Sequence, residues 1–202
     1  MGTLERKERE KLEMRKTILK AATELFLKDG IEKLTLRAIA NKIEYSVGTI
    51  YLYYKDKDEL FHDLMEKGYQ KLSKEIQKIP PTDDHIAYLK QLARTYIHFG
   101  LKNPQYYDLM FIMEKPDQLS QDLSELGAGL KTFNALYDTI RIVVEKDLIR
   151  FKDIPTASMA IWGVEHGLVS LYNRNRLLMY TDQNVEEQLF ASMDNFIDSI
   201  KR

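Results

Sequence analysis

The chain contains no cysteine. Disulfides, thiolate nucleophiles and every cysteine-ligated metal site are therefore excluded. It also lacks any apolar run near the ~20 residues that a bilayer-crossing helix needs. Its first residues, MGTLERKEREKLEMRK, are charged where a secretory signal would be apolar. Gly2 is followed by Thr3-Leu4-Glu5-Arg6, which puts no Ser or Thr where N-myristoylation wants one. These absences predict a cytoplasmic protein with no membrane partner. The four histidines, His62, His85, His98 and His166, supply no pair on one helix face, so neither a metal nor a cofactor is expected. No nucleophile and base stand at a spacing that suggests catalysis.

Charge of one sign is missing as well. The 30 Lys+Arg and 31 Asp+Glu leave a formal net charge of −1, which taken alone argues against a nucleic-acid partner. The distribution is more telling. Residues 1–57 hold 13 Lys+Arg against 9 Asp+Glu, and residues 58–202 hold 17 against 22. A mildly basic head on an acidic body suits a protein that meets phosphates at one end only.

What the chain does have is helical periodicity throughout. No segment alternates at period two for long enough to build a sheet, so an all-α fold of about nine helices is predicted. Met14, Ile18, Leu19, Ala22, Leu25 and Phe26 mark one amphipathic helix over residues 6–28, with Gly30 as its stop. Thr35 can cap a short helix through Asn41, and Ser46 can cap the next, with Ile50 and Tyr51 facing inward. Asp56 and Lys57 begin a longer helix that stops before Pro80-Pro81, the predicted domain boundary. Beyond it, residues 85–100 form a helix, and Asn103 then Pro104 read as a cap and first turn. A long helix is expected over 119–147, with Leu126, Leu130, Phe133, Tyr137, Ile140 and Val144 on one stripe. Pro155 opens another through about Leu178, and Thr181 or Asp182 caps the last.

The stretch LTLRAIANKIEYSVGTIYLYYKDK, residues 34–57, is the most specific. Two helices of seven or eight residues are too short to stand alone in water and must be propped on longer neighbours. Held that way, the second presents an amide end and small side chains that fit a DNA major groove. Gly48 is costly inside a helix. Close approach, either to DNA or to the first helix, would account for it.

In RKTILKAATELFLKDGIEKLTLRAIANKI and SVGTIYLYYKDKDELF, residues 14–61 resemble the DNA-binding domain of the tetracycline-repressor family of bacterial transcription regulators. The resemblance implies a three-helix head, residues 1–56, with a helix-turn-helix, a connecting helix at 57–80, and a ligand-binding and dimerisation body at 81–202. It makes Thr35 a phosphate contact and puts Ser46, Val47 and Thr49 at the groove-facing end of the recognition helix. Tyr53 and Lys57 would reach the DNA backbone, and Tyr54 fills the buried aromatic position. Glu44 departs from the family's usual turn Gly, Val47 replaces a commonly polar residue, and Leu52 stands where an aromatic is common.

One recognition helix makes too few contacts for ~10⁻⁸ M affinity, so a homodimer on paired half-sites is expected. The last two helices are the candidate interface, as in the family, although their apolar faces could instead close the monomer core. The body is aromatic. Tyr96, Phe99, Tyr107, Met110, Phe111, Phe133, Tyr137, Trp162 and His166 are candidates to line an apolar effector site or simply to fill a core. YIHFGLKNPQYYDLMF and AIWGVEHGLVSL are similar to the branch of the family whose C-terminal domain carries a Trp, then His-Gly one turn on. Trp162 and His166 share a helix face. Glu165 projects elsewhere and makes a poor dyad with His166. The expected function is a DNA-binding regulator that a small, largely apolar effector releases from double-stranded operator DNA. A helical protein-binding module with no DNA role, or a small helical enzyme, remains open from sequence.

Overall fold

The computed structural model describes residues 3–113, 127–177, 179 and 184–202, apart from the side chains of residues 3 and 4. Among them are nine α-helices and one π-helical turn, and the only strand-like pairing is an isolated bridge between Ile149 and Lys201. No helix among the described residues is long and apolar enough to cross a membrane.

Helix α1 (Thr3–Asp29) buries Ile18, Ala21, Ala22 and Phe26 and stops at Gly30, whose φ of 80° is the left-handed geometry that glycine adopts freely. Helices α2 (Leu36–Lys42) and α3 (Val47–Tyr51) are each capped as expected. The Thr35 hydroxyl accepts from Ala38 N at 3.0 Å, and the Ser46 hydroxyl accepts from Thr49 N at 3.1 Å. Ile39, Ala40, Ile50 and Tyr54 anchor this short pair to α1 and α4 (Lys57–Ile76). Tyr51 does not face inward. It is 56% exposed, because Ile50 takes the core position and the next residue is turned about 100° away from it.

Glu44 adopts the turn without glycine's freedom, at φ 62°. Tyr45 N donates to Ala40 O and Glu44 N to Asn41 O, the paired bonds that close a helix through a left-handed residue. A non-glycine residue there costs ~1–2 kcal/mol, and glycine's extra unfolded-state freedom offsets ~0.5–1 of it. Glu44→Gly is therefore expected to stabilise the protein by about 1 kcal/mol and raise the melting midpoint by about 2–4 °C in a thermal melt.

The body begins with α5 (His85–Lys102), which packs on α7 (Ala128–Glu145), α8 (Ile154–Asn173) and α9 (Val185–Ile200). Between α5 and α7 lie α6 (Pro104–Tyr107) and the π-turn Asp108–Ile112. Gly100 of α5 permits the tightest of these approaches, since a Cβ there would stand 2.5 Å from Val169 Cγ1 of α8. Asn103 precedes α6 without capping it by its side chain, whose amide donates to Phe99 O instead. Of the helix expected over 119–147, the described part starts at Ala128, and Leu126 lies outside the described residues. Helix α8 ends at Asn173, short of Leu178, where Asn175 turns left-handed at φ 53°. Thr181 and Asp182 also lie outside the described residues. Asn184 is the residue preceding α9, and its side chain makes no cap bond. One apolar core runs from Ile18 through to Ile197, joining head and body.

Candidate nucleic-acid interface and effector site

The exposed side of the head gathers most of the residues assigned to DNA. Thr35, Ser46 and Lys57 are exposed, and Val47, Thr49 and Tyr53 are half-buried. Because the Thr35 oxygen serves as the cap acceptor, its proton remains available to a phosphate oxygen. Ser46 and Thr49 pair hydroxyl to hydroxyl at 2.9 Å. Lys57 rests its ammonium 4.6 Å from the Phe61 ring centroid. Tyr51, expected to face inward, and Leu52 are exposed beside them, at 56% and 74%. Gly48 is exposed too, and the nearest atom to an added Cβ would be Ser46 Oγ at 3.6 Å. Close approach to α1 is thus not what the glycine serves.

A charged clasp holds this face to α4. Arg15 of α1 donates to Tyr53 O at 2.6 Å, Glu59 Oε1 at 2.5 Å and Asp63 Oδ2 at 2.9 Å, with its guanidinium 4.1 Å from the Tyr54 ring centroid. The Tyr54 hydroxyl donates to the same Asp63 oxygen at 2.9 Å. Partial burial disfavours the Arg15 charge, but its bonds to Glu59 and Asp63 outweigh that and raise its pKa. Burial, with Asp63 beside it, raises that of Tyr54.

Behind the head, α4 enters a ring cluster with Phe111 at its centre. The centroid of Phe111 lies 5.8 Å from Tyr69, 5.6 Å from Tyr96, 5.5 Å from Tyr107, 6.3 Å from Trp162 and 6.1 Å from His166. The Tyr96 and Tyr107 hydroxyls stand 3.2 and 3.0 Å from His166 Nδ1, and Tyr107 also donates to His166 O. Burial, helped by the Arg174 charge, lowers the His166 pKa and keeps the ring neutral. Tyr69 was missed in the sequence, although it falls four residues after Met65 on the buried side of α4. Its hydroxyl donates to Met110 O at 3.3 Å, and burial pushes its pKa up to about 12.

Not every aromatic candidate joins this cluster. Phe133 is 52% exposed and stacks on Tyr137 at 5.8 Å, a separate pair on α7. Met110 packs on Gly68 of α4, and Phe99 is buried in α5. Two shallow clefts of about 330 and 300 Å³ open elsewhere, beside Glu75, Arg94 and Phe190 and beside Pro81, His85 and Ile142. Neither cleft is lined by the ring cluster, whose rings fill the space between α4, α5 and α8. The histidines do not converge. His62 lies beside Asp63, His98 pairs with Glu186, and His85 opens α5.

Glu165 was underrated. It occupies the centre of the Ala157–Ile161–Glu165–Val169 stripe of α8, is 1% exposed, and its Oε1 has no hydrogen-bond partner among the described residues. Burial alone pushes its pKa up to about 8. The i, i+4 spacing around it was legible.

Comparison with known proteins agrees with this anatomy. Residues 18–64 match the family of bacterial regulatory proteins described as the tetR family. Residues 89–196 match a tetracyclin repressor-like C-terminal domain. An uncharacterised helix-turn-helix transcriptional regulator of Haemophilus influenzae is 25% identical over 95 residues, 46% of this chain and 51% of that one. The chain thus spans about half the length of that relative. A second uncharacterised regulator, YobS of Bacillus subtilis, is 20% identical over 185 residues, 92% of this chain and 91% of that one. A solved structure from Rhodococcus sp. RHA1, of unknown function, superposes with a TM-score of 0.77 at 20% identity, covering 93% of this chain and 95% of its own.

Proposed function

The chain belongs to the tetracycline-repressor family of bacterial regulatory proteins, which are DNA-binding transcriptional regulators and not enzymes, and from that premise we propose that it is an effector-released repressor. Residues 1–56 act as the reading head, 57–80 as the connecting helix, and 81–202 as the effector-binding and dimerising body. The observation that carries the reading is the placement of α4. Its first turn closes the clasp under the recognition helix, and its Tyr69 touches the ring cluster. One rigid element therefore reports on both sites.

Two further contacts make α4 a lever. Glu66 accepts from Ala128 N at 2.9 and 3.1 Å, which caps α7, and Gly68 lets Met110 and Tyr106 lie directly on the helix. An effector entering among Phe111, Tyr96 and Trp162 must move Phe111 and with it Tyr69. Tilting α4 then changes the separation of the two heads in a dimer. Such a ligand need favour the mismatched state by only a few kcal/mol to empty the operator.

The test is a mobility shift with DNA from upstream of the chain's own coding sequence. The protein is expected to retard it. Thr49→Ala and Tyr53→Ala are each expected to weaken binding by about tenfold to a hundredfold, the effect of losing ~1–3 kcal/mol of contact. Retardation unchanged by either variant would remove the assigned face. A broad screen of apolar and amphipathic compounds that never released the DNA would remove the effector part alone.

A further inference from the structure

We propose that Glu165, together with Tyr96 and Trp162, forms the recognising end of an effector site for a lipophilic organic cation. The inference rests on the effector-released reading above and names the chemistry of the effector.

The first observation is geometric. Trp162, Glu165 and His166 occupy one turn of α8, and that turn forms one wall of the ring cluster. The Glu165 charge acts on Tyr96, whose hydroxyl also meets His166. A buried carboxyl thus shares a helical turn with Trp162 and His166, whose rings meet Phe111 edge-on, and electron-rich rings attract cations. The second observation is the unpartnered oxygen. A buried carboxyl oxygen with no partner among the described residues is among the more costly groups a core can hold, and an apolar residue would fit the Ala157–Ile161–Val169 stripe better. An incoming cation supplies what the oxygen lacks.

The surroundings define the charge balance. Burial alone raises the Glu165 pKa. The titratable groups of the cluster are Tyr69 of α4, Tyr96 of α5, Tyr107 of α6 and His166 of α8, all neutral near pH 7, and the charges that act on Tyr107 and His166 belong to the Arg174–Asp108 ion pair at 2.9 Å. On the other helices packed against α8, Asp138 and Glu145 of α7 are exposed and pair with Arg141, and Glu186, Asp194 and Asp198 of α9 are tied up in ion pairs with His98, Lys102, Arg94 and Lys90 of α5. The empty site therefore holds a protonated carboxylic acid, and a permanent cation binds with release of that proton. Access lies past Trp162, which is partly exposed, and past the π-turn that carries Phe111, a helix irregularity common at functional sites.

Trp162 is the only tryptophan, so its fluorescence reports the site directly. The probes are phenyltrimethylammonium and tert-butylbenzene, which share a shape and differ in charge. The cation is expected to bind at least tenfold more tightly at pH 8, and its affinity to rise nearly tenfold from pH 6 to pH 7, while that of the hydrocarbon stays flat. Glu165→Gln, which keeps the volume and the fold, is expected to abolish both the preference and the pH dependence. Equal affinities, no binding of the cation, or a preference that survives in Glu165→Gln would overturn the proposal. The readout is independent of DNA. A cation that binds selectively without releasing operator defeats the repressor reading and leaves the site standing, whereas release by the hydrocarbon alone defeats the site and leaves the repressor.

Discussion

Replacing Gly48 by valine is expected to leave the fold standing and to lower operator affinity by on the order of a hundredfold or more. Glycine within α3 costs ~0.5–1 kcal/mol relative to alanine, and no neighbouring element offsets that cost, because an added Cβ would meet only Ser46 Oγ at an ordinary 3.6 Å. Folding therefore gains nothing from the glycine. A groove would. Ser46, Gly48 and Thr49 make the leading turn of the recognition helix slender, and a branched side chain at its middle would hold the backbone off the base edges. A poorly seated half-site costs ~1–3 kcal/mol, and a two-fold dimer meets the clash twice. Gly48→Ala is expected to melt slightly higher than the parent and to bind with an intermediate loss. Circular-dichroism melts beside mobility shifts separate the two effects. A valine variant that bound DNA like the parent would show that α3 does not enter the groove by this face.

Gly48 also shows where sequence reasoning succeeded and where it stopped. The caps at Thr35 and Ser46, the stop at Gly30, the start at Asp56 and the all-helical architecture were legible because each rests on local chemistry within three or four residues. The short helix after Ser46 was found the same way, while its assignment to DNA came from the family resemblance. Tyr51 was misplaced since a five-residue helix offers too few positions for periodicity to fix its inward face. The ring cluster was half legible. Its aromatics were visible as a concentration along the chain. Their meeting point at Phe111 depends on a π-turn, which adds a residue to one helical turn and so shifts where Phe111 points. Phe133 was drawn into the list by its stripe on α7, yet it leaves the core and stacks on Tyr137. Tyr69 was overlooked and Glu165 was weighed only as a partner for His166, for different reasons. Tyr69 lies on the helix assigned as the connector between head and body, and Glu165 is a charged residue at an apolar position.

The second large effect concerns assembly. Helix α8 presents Met159, 66% exposed, with Gly163 and Gly167 along its outer side, and nothing among the described residues lies within 4 Å of a Cβ added at either glycine. Two glycines in a 20-residue helix weaken it by ~0.5–1 kcal/mol each, again with no return inside the monomer. Glycines four apart clear a furrow into which a second helix can settle at short range, and the last two helices are the proposed homodimer interface. Gly167→Leu is therefore expected to fold at least as well as the parent and to lose the dimer. The leucine adds bulk at both symmetry-related positions, and overpacking costs ~1–3 kcal/mol per insertion, so the dimer dissociation constant should rise by on the order of a hundredfold. Operator binding should fall with it, because each monomer then holds one half-site without the second to keep it in place. Sedimentation equilibrium measures the first effect and a mobility shift at low protein concentration the second. If Gly167→Leu remained a dimer with parental affinity for operator, the interface would have to lie away from this side of α8, and the two recognition helices would be spaced by some other contact.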